Sequence, residues 1–406
     1  MLLVPMGIVA QGQGKTIITF SNWQFLEPSR GEVLHNFIEQ FEENNPNIRV
    51  ETTAIPYSNY SSAILSQLQA GAGPDIMFTK GTDFLSWMRT DRFAPLNDHI
   101  DISKYEDEFI PQQELAKQNG NVYGIAYEGF PYGALIYNKA WLDEAGVGVP
   151  TTPEELLNAS NAVVEETDAT YGLIHPTNVG NRSYLMQGGM IVINGFGGRI
   201  IAEKDGEKVW GVTEPEFVEG VEFLKEIYDS PGTPKGTPFG RQRNAYLNGQ
   251  AAMVLDGSYW PAIVKGESEE LYENIGVAPI PFPTIASPFE FNLYAINANS
   301  DKKEAAAKFL EFLLAPEQAN KWAKESAIPG LKFTYDAVIE KYPWFEVYAE
   351  ASEKGVPKAV EGHYADSLEI RNLVADYIGR AMMGELPVEE AMERCKQELQ
   401  NQFGDA

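Results

Sequence analysis

Between Ile17 and Phe78 short apolar runs alternate with stretches whose apolar residues recur at helical spacing, and that alternation limits what the chain can fold into. Ile17–Phe20 reads as a strand. Ser29-Arg30-Gly31-Glu32 has the form of a capping box, and Val33, Leu34, Phe37, Ile38 and Phe41 then fall on one helical face. Asn44-Asn45-Pro46 stops that helix, and Ile48–Ile55 reads as the next strand. A second helix runs from Ser58 through Ile64 and Leu68 to Gly71-Ala72-Gly73-Pro74, after which Asp75-Ile76-Met77-Phe78 restarts a strand. Strand, helix, strand in this order predicts a parallel sheet with right-handed crossovers, hence an α/β layer.

The stretch Asn121–Lys139 breaks the pattern. Two apolar runs, Val122–Tyr127 and Ala134–Tyr137, flank Glu128-Gly129-Phe130-Pro131-Tyr132-Gly133. Runs this short, aromatic and bounded by Gly and Pro read as strands meeting at a bend. The bend is either a tight loop or the point where the backbone leaves one lobe for another; we read it as a crossing. Beyond it, helices are predicted at Thr152–Glu166 (Thr152 as cap, Pro153 in the first turn), Glu214–Tyr228, Asp301–Leu314, Asp366–Met383 and Pro387–Phe403. Strands are predicted at Ala251–Leu255, Ile275–Pro283 and Phe291–Asn297, and Asp301 with Glu304 suggests a second capping box.

At 406 residues two domains are the natural expectation. The formal charge of −27 argues against nucleic acid or an anionic membrane as the main partner, since both need clustered Lys and Arg. Cys395 is the single cysteine, so no intrachain disulfide or cysteine metal site is possible. Met1–Ala10 is apolar and resembles the back half of a secretory signal without its basic region, so 1–14 is expected to be a residual leader or disordered tail. No cysteine is placed to take a lipid.

Motifs for common chemistries are missing. Gly12-Gln13-Gly14-Lys15-Thr16 contains a GKT, but Val9 stands where a phosphate-binding loop needs glycine. Gly195-Phe196-Gly197-Gly198 lacks the third fingerprint spacing for a dinucleotide, and neither GxSxG nor HExxH occurs. His35, His99, His175 and His363 are scattered without ligand spacing, so no metal or other cofactor is expected. A glycosidase needs paired carboxylates; only Glu128, among three aromatics, has a neighbourhood that stands out, and it suggests a polar ligand site more than hydrolysis.

Taken together, several segments resemble the family 1 extracellular solute-binding proteins, binding subunits of ABC importers that include maltose- and oligosaccharide-binding proteins. They are Phe41-Glu42 with Pro46-Asn47-Ile48-Arg49-Val50; Gly71 with Pro74-Asp75-Ile76; Tyr123-Gly124-Ile125 with Tyr127-Glu128 and Tyr137-Asn138-Lys139; Pro150 with Thr152-Pro153-Glu154-Glu155; Asn248-Gly249-Gln250-Ala251-Ala252-Met253 with Asp256-Gly257-Ser258; Ala295-Ile296-Asn297; Pro316-Glu317-Gln318; and Gly384-Glu385-Leu386-Pro387. The resemblance implies a two-lobed periplasmic-binding-protein fold, about three hinge crossings and a ligand cleft between the lobes. It places 15–127 plus 292–328 in the N-terminal lobe and 128–291 plus 329–406 in the C-terminal lobe. It also implies a monomeric, exported, non-enzymatic protein, periplasmic or held at the cell surface, that delivers a sugar to ABC permease membrane subunits. A non-sugar solute such as a glycerophosphoester or polyamine is the alternative.

Ligands of open α/β sheets sit off the carboxyl ends of the strands. That rule selects the loops Asn22-Trp23-Gln24, Thr79–Asp83, the crossing at Glu128, Phe130 and Tyr132, and Asp256–Trp260. Sugars stack their C–H faces on aromatic rings while carboxylates, amides and Arg satisfy their hydroxyls. Trp23, Tyr259 and Trp260 are therefore the stacking candidates, with Trp260 equally able to be core. Gln24, Lys80, Asp83, Glu128 and Arg371 are the polar candidates, and Trp344 and Tyr364 join them from the loops before the Arg371 helix. A phosphate ligand would favour Lys80, Arg182 and Arg371 converging, and a polyamine would favour Glu128 and Asp83. Asp75 is read as structural.

Overall fold

β1 (Thr16–Ser21), α1 (Pro28–Asn44), β2 (Ile48–Thr53), α2 (Tyr57–Gln69) and β3 (Ile76–Lys80) follow one another as the alternation predicts, and α3 (Gly81–Met88) follows where a loop was expected. The structure, a computed structural model, describes residues 14–406, so the expected leader lies outside them except for Gly14. β1 pairs parallel with β2 and β3, Ile18 opposite Val50 and Phe20 opposite Ile76. Leu34, Phe37 and Phe41 on α1 are buried, Phe41 edge-on to Phe309 at 5.0 Å. Asp75 is structural as read: its carboxylate accepts from Thr19 N–H (2.7 Å), Thr19 Oγ1 and Ser300 Oγ (2.6 Å).

β4 (Ile125–Pro131) and β5 (Ala134–Asn138) take the two runs of the Asn121–Lys139 stretch. α4 (Pro153–Glu166) is capped by Thr152, whose Oγ1 accepts the Glu155 N–H at 3.2 Å. Then come β6 (Tyr171–Ile174), α5 (Arg182–Phe196), the hairpin β7 (Ile201–Lys204) and β8 (Glu207–Trp210), α6 (Pro215–Asp229), α7 (Phe239–Leu247), β9 (Ala251–Asp256) and β10 (Ile275–Pro279). The chain ends with β11 (Ser287–Ile296), α8 (Lys303–Leu314), α9 (Pro316–Ser326), α10 (Phe345–Glu353), β12 (Gly355–Pro357), α11 (Ser367–Met382) and α12 (Val388–Phe403). α5 escaped the sequence reading because it is buried on nearly every side, leaving no polar face to give it a period.

Three local readings are corrected. α1 begins at Pro28 with Glu27 as cap and no side-chain cap bond, because proline's fixed φ suits the first turn; Ser29 is already inside the helix. α8 begins at Lys303, and Ser300, not Asp301, accepts a backbone N–H there, from Lys302 at 3.0 Å. Thr79–Asp83 is not a loop: β3 runs to Lys80 and α3 starts at Gly81. A Cβ at Gly81 would sit 2.8 Å from the Phe291 carbonyl, so the junction needs glycine to rest on the neighbouring strand.

Two sheets result. The larger has the order β12-β11-β3-β1-β2, with β4 also paired to β11; the smaller runs β10-β5-β9-β6. Each has its own apolar core. One joins residues such as Phe20, Phe41 and Phe78 with Tyr294 and Phe309; the other joins Leu135 and Leu173 with Leu224, Ile370 and Met392. The backbone passes from the larger sheet to the smaller between Pro131 and Ala134, and returns between Pro279 and Ser287. After α9 a further passage runs alongside the first: Pro329 bridges Glu128, and Gly330 N–H donates to Tyr127 O at 3.2 Å. A pairing irregularity sits beside that point, since Asn292 faces Glu128 while Leu293 faces Ala126, leaving Tyr127 as the extra residue of a bulge.

Candidate functional site

Lys80, Asp83 and Tyr132, from β3, the start of α3 and the end of β4, gather with Tyr57 within the electrostatic reach of Glu290 on β11. Glu290 Oε2 accepts from Lys358 Nζ at 2.8 Å and from Tyr132 OH at 3.3 Å. Lys358 Nζ also donates to the Tyr132 hydroxyl at 3.0 Å and lies 4.2 Å from its ring centroid. Burial pushes the Glu290 carboxyl up, but Lys358, its hydrogen bond, Arg371 and the Tyr132 hydroxyl outweigh that and hold it below its ordinary value. Burial lowers the Lys358 ammonium, against the pull of Glu290.

Across from this centre stands Tyr57, at the start of α2. Its side chain is 55% exposed although Trp23 packs edge-on behind it at 5.5 Å. Lys80 Nζ sits 3.7 Å from its ring centroid. Partial burial pushes the Tyr57 hydroxyl up to about 12, with Glu290 and Asp83 adding to the effect. Asp83, in the first turn of α3, accepts from Ser61 Oγ, and burial raises its carboxyl. Burial lowers the Lys80 ammonium while Asp83 and Glu290 oppose it.

On the second lobe Asp256 ends β9 fully buried, and its carboxylate accepts from the Gly257 N–H (2.8 Å), Tyr259 OH (2.7 Å) and Trp260 Nε1. Burial raises its carboxyl despite these bonds. Gln187 on α5 donates to Tyr259 OH at 3.2 Å, and Tyr259 meets Tyr132 edge-on at 6.1 Å between centroids. Phe130 is half-buried against the same core. Together Tyr57, Tyr132 and Tyr259 supply rings, and Lys80, Asp83, Glu290, Lys358 and Arg371 supply polar groups. That set suits a ligand with both apolar faces and hydroxyl or acid edges.

Not every expected residue serves in this way. Trp260 is completely buried, edge-on to Tyr246 at 5.4 Å, with its N–H on Asp256; it is core, whereas Tyr259 is only partly buried. Trp23 is 4% exposed between Tyr57, Tyr60 and Phe78, so Tyr57 presents the ring in its place. Glu128 is fully buried with both oxygens taken, Oε1 by Gln24 Nε2 and Oε2 by Asn292 Nδ2, each at 2.8 Å. Burial raises its carboxyl although Arg30 and those two bonds oppose it. Gln24 and Glu128 thus tie the first loop to the crossing. Trp344 donates to Tyr272 OH at 3.2 Å and packs on Tyr342 and Tyr348. Tyr364 receives Arg89 over its ring at 4.5 Å, linking the segment before α11 to the end of α3. Arg182 is exposed and paired with Asp376 at 2.5 Å, so Lys80, Arg182 and Arg371 do not converge.

Tyr57, Gln187, Glu290 and Lys358 were missed. Glu290 alone had a signal: a single acid between Phe289 and Phe291 in a strand, where period two sends it to the opposite face.

The arrangement is that of a two-lobed solute-binding protein. The sequence matches the bacterial extracellular solute-binding protein family over residues 27–320, more than half its length, and the chain belongs to that family of ABC importer components, which are binding proteins and not enzymes. It is 21% identical over 330 residues to the putative ABC transporter periplasmic-binding protein YcjN of Escherichia coli, covering 79% of this chain and 73% of that protein. It is 23% identical over 362 residues to the sn-glycerol-3-phosphate-binding periplasmic protein UgpB of the same species, covering 83% and 80%. The cyclic alpha-maltosyl-1,6-maltose binding protein of Arthrobacter globiformis superposes with a TM-score of 0.80 at 21% identity, covering 96% of this chain and 99% of that one.

Proposed function

We propose that the ligand is a sugar, held in the interlobe cleft and delivered to ABC permease membrane subunits. The observation that carries this reading is the exposed Tyr57 ring, backed by Trp23 and set opposite the polar centre at Glu290. A pyranose laid on Tyr57 places its hydroxyl edges toward Asp83, Lys80, Glu290 and Lys358, and Tyr259, Tyr132, Phe130 and Arg371 close the other side. The sugar ligands named for structural neighbours such as the Arthrobacter protein support it. In this reading 15–127 plus 292–328 form one lobe and 128–291 plus 329–406 the other, which the two main apolar cores support in outline, although Phe289, Phe291, Leu331 and Ala359 join the first core. The protein acts as a monomer, exported to the periplasm or cell surface. Cleft contacts made by both lobes exist only when they close, so ligand shifts that population.

The test is a thermal-shift panel of mono- and oligosaccharides, glycerophosphoesters and polyamines against the purified chain. A saccharide should raise the unfolding midpoint. Stabilisation by an amine with none by any saccharide sinks the reading.

A further inference from the structure

Beside the Glu290 centre a cavity of about 790 Å³ opens between α5, the β7–β8 hairpin, the start of α11 and the segment around β12. That is within the roughly 300–1,000 Å³ of sites that enclose most of a small ligand. Its lining carries both signs: Glu203, Glu216, Glu353, Glu361, Lys208 and Lys354 are exposed, whereas Arg199, Lys358 and Arg371, beside Glu214, are partly buried in its wall. On a chain with a formal charge of −27 this inner cationic wall runs against the overall balance.

Lys358 is paired with Glu290, but the wall's two guanidiniums have no carboxylate partner. Among the described residues Arg371 makes no hydrogen bond and no ion pair within 4.0 Å, its nearest acid influence being Glu290, whose Oε2 is already taken by Lys358 and Tyr132. Arg199 donates only to backbone carbonyls, Gly198 O at 2.8 Å and Asn194 O at 3.4 Å. A guanidinium drawn out of water without a carboxylate costs free energy unless an acceptor arrives. Its planar fork matches a carboxylate or phosphate in two parallel bonds.

We propose that the sugar of this cleft is an acidic one, carrying a carboxylate or phosphate that enters the cavity and takes Arg371, with Arg199 and Lys358 flanking it. This rests on the sugar-binding reading and narrows it. The neutral part of the ligand stays on the Tyr57 side, and the anionic group faces the second lobe.

The test is titration calorimetry of the full chain with matched sets: hexoses and their oligomers, the corresponding uronates, and hexose phosphates. Expected is at least about tenfold tighter binding of a uronate or phosphate than of its neutral parent, weakening with added salt. Which of the two anions gains identifies the acidic group. Arg371→Gln should bring the ratio near one, with a wild-type circular-dichroism spectrum showing that the variant is folded. Neutral sugars binding as tightly as their acidic partners overturn this inference and leave the sugar reading standing. Failure of every saccharide overturns both.

Discussion

Lys358 Nζ stands 2.8 Å from Glu290 Oε2, joining the segment after β12 to the middle of β11 beneath the interlobe cleft. With side-chain exposures of 10% and 24% the pair is largely shielded from water. Breaking it from one side leaves an uncompensated charge. Lys358→Met should lower the unfolding free energy by roughly 2–3 kcal/mol, and Glu290→Gln in the same background should restore part of it. A double-mutant cycle by chemical denaturation measures the coupling; additive losses would refute it. Because Glu290 is held below 4.5, its contribution is full above that value and is lost as pH falls through the lowered one.

His175 gives a second pH dependence, of a different origin. It is fully buried, neither ring nitrogen has a partner among the described residues, and burial pushes its pKa from 6.5 down to about 3. Between those values the unfolded chain takes up a proton that the folded one refuses, so stability falls as pH drops through that window, by about 1.4 kcal/mol per unit. His175→Leu should remove about 2 kcal/mol of the loss between pH 6.5 and 5. Unfolding midpoints at the two pH values check this.

Two aromatic substitutions separate binding from folding. Tyr57→Ala removes an exposed ring, so affinity should drop about tenfold or more with a stability change under about 1 kcal/mol. Trp260→Ala empties a buried site and should cost about 3–5 kcal/mol. Calorimetric binding and denaturation on both proteins decide it; equal stability losses would count against the assignment.

The crossings should be sensitive to added volume in a graded way. A Cβ at Gly330 would lie 2.5 Å from the Tyr127 carbonyl carbon and 2.7 Å from Glu128 N, backbone atoms with nowhere to go. At Gly133 the closest atoms are Ser287 Oγ at 2.4 Å and Ser287 Cβ at 2.9 Å, one side chain rather than backbone, so a smaller shift relieves the contact. Gly330→Ala should therefore destabilise by about 3 kcal/mol and Gly133→Ala by about 1 kcal/mol. Small-angle scattering with and without sugar should show wild-type compaction that Gly330→Ala blunts; an unchanged response removes the hinge from the explanation.

How much of this was legible in the sequence varied with the range of the interactions involved. The alternation from Ile17 to Phe78 held through every element because each helix and strand buries one periodic face. Capping was read correctly at Thr152, where Oγ1 reaches an amide three residues on. It failed at Ser29 and Asp301, where Pro28 and Ser300 offered the backbone a competing start. α5 was invisible because a helix buried all round has no period to show.

The sequence by itself determined the α/β class and a passage between sheets within Asn121–Lys139, since these follow from periodicity and residue type along a local stretch. Only the tertiary structure decided which of the candidate residues are buried and which stay accessible. Trp260 and Trp23 went to the core, Tyr57 to the surface of the cleft, and Glu128 into bonds with Gln24 and Asn292. Lys358 found Glu290 from 68 positions away. The physical reason is that a side chain's exposure and partners depend on what other strands and helices bring against it, and no short stretch of chain contains that information.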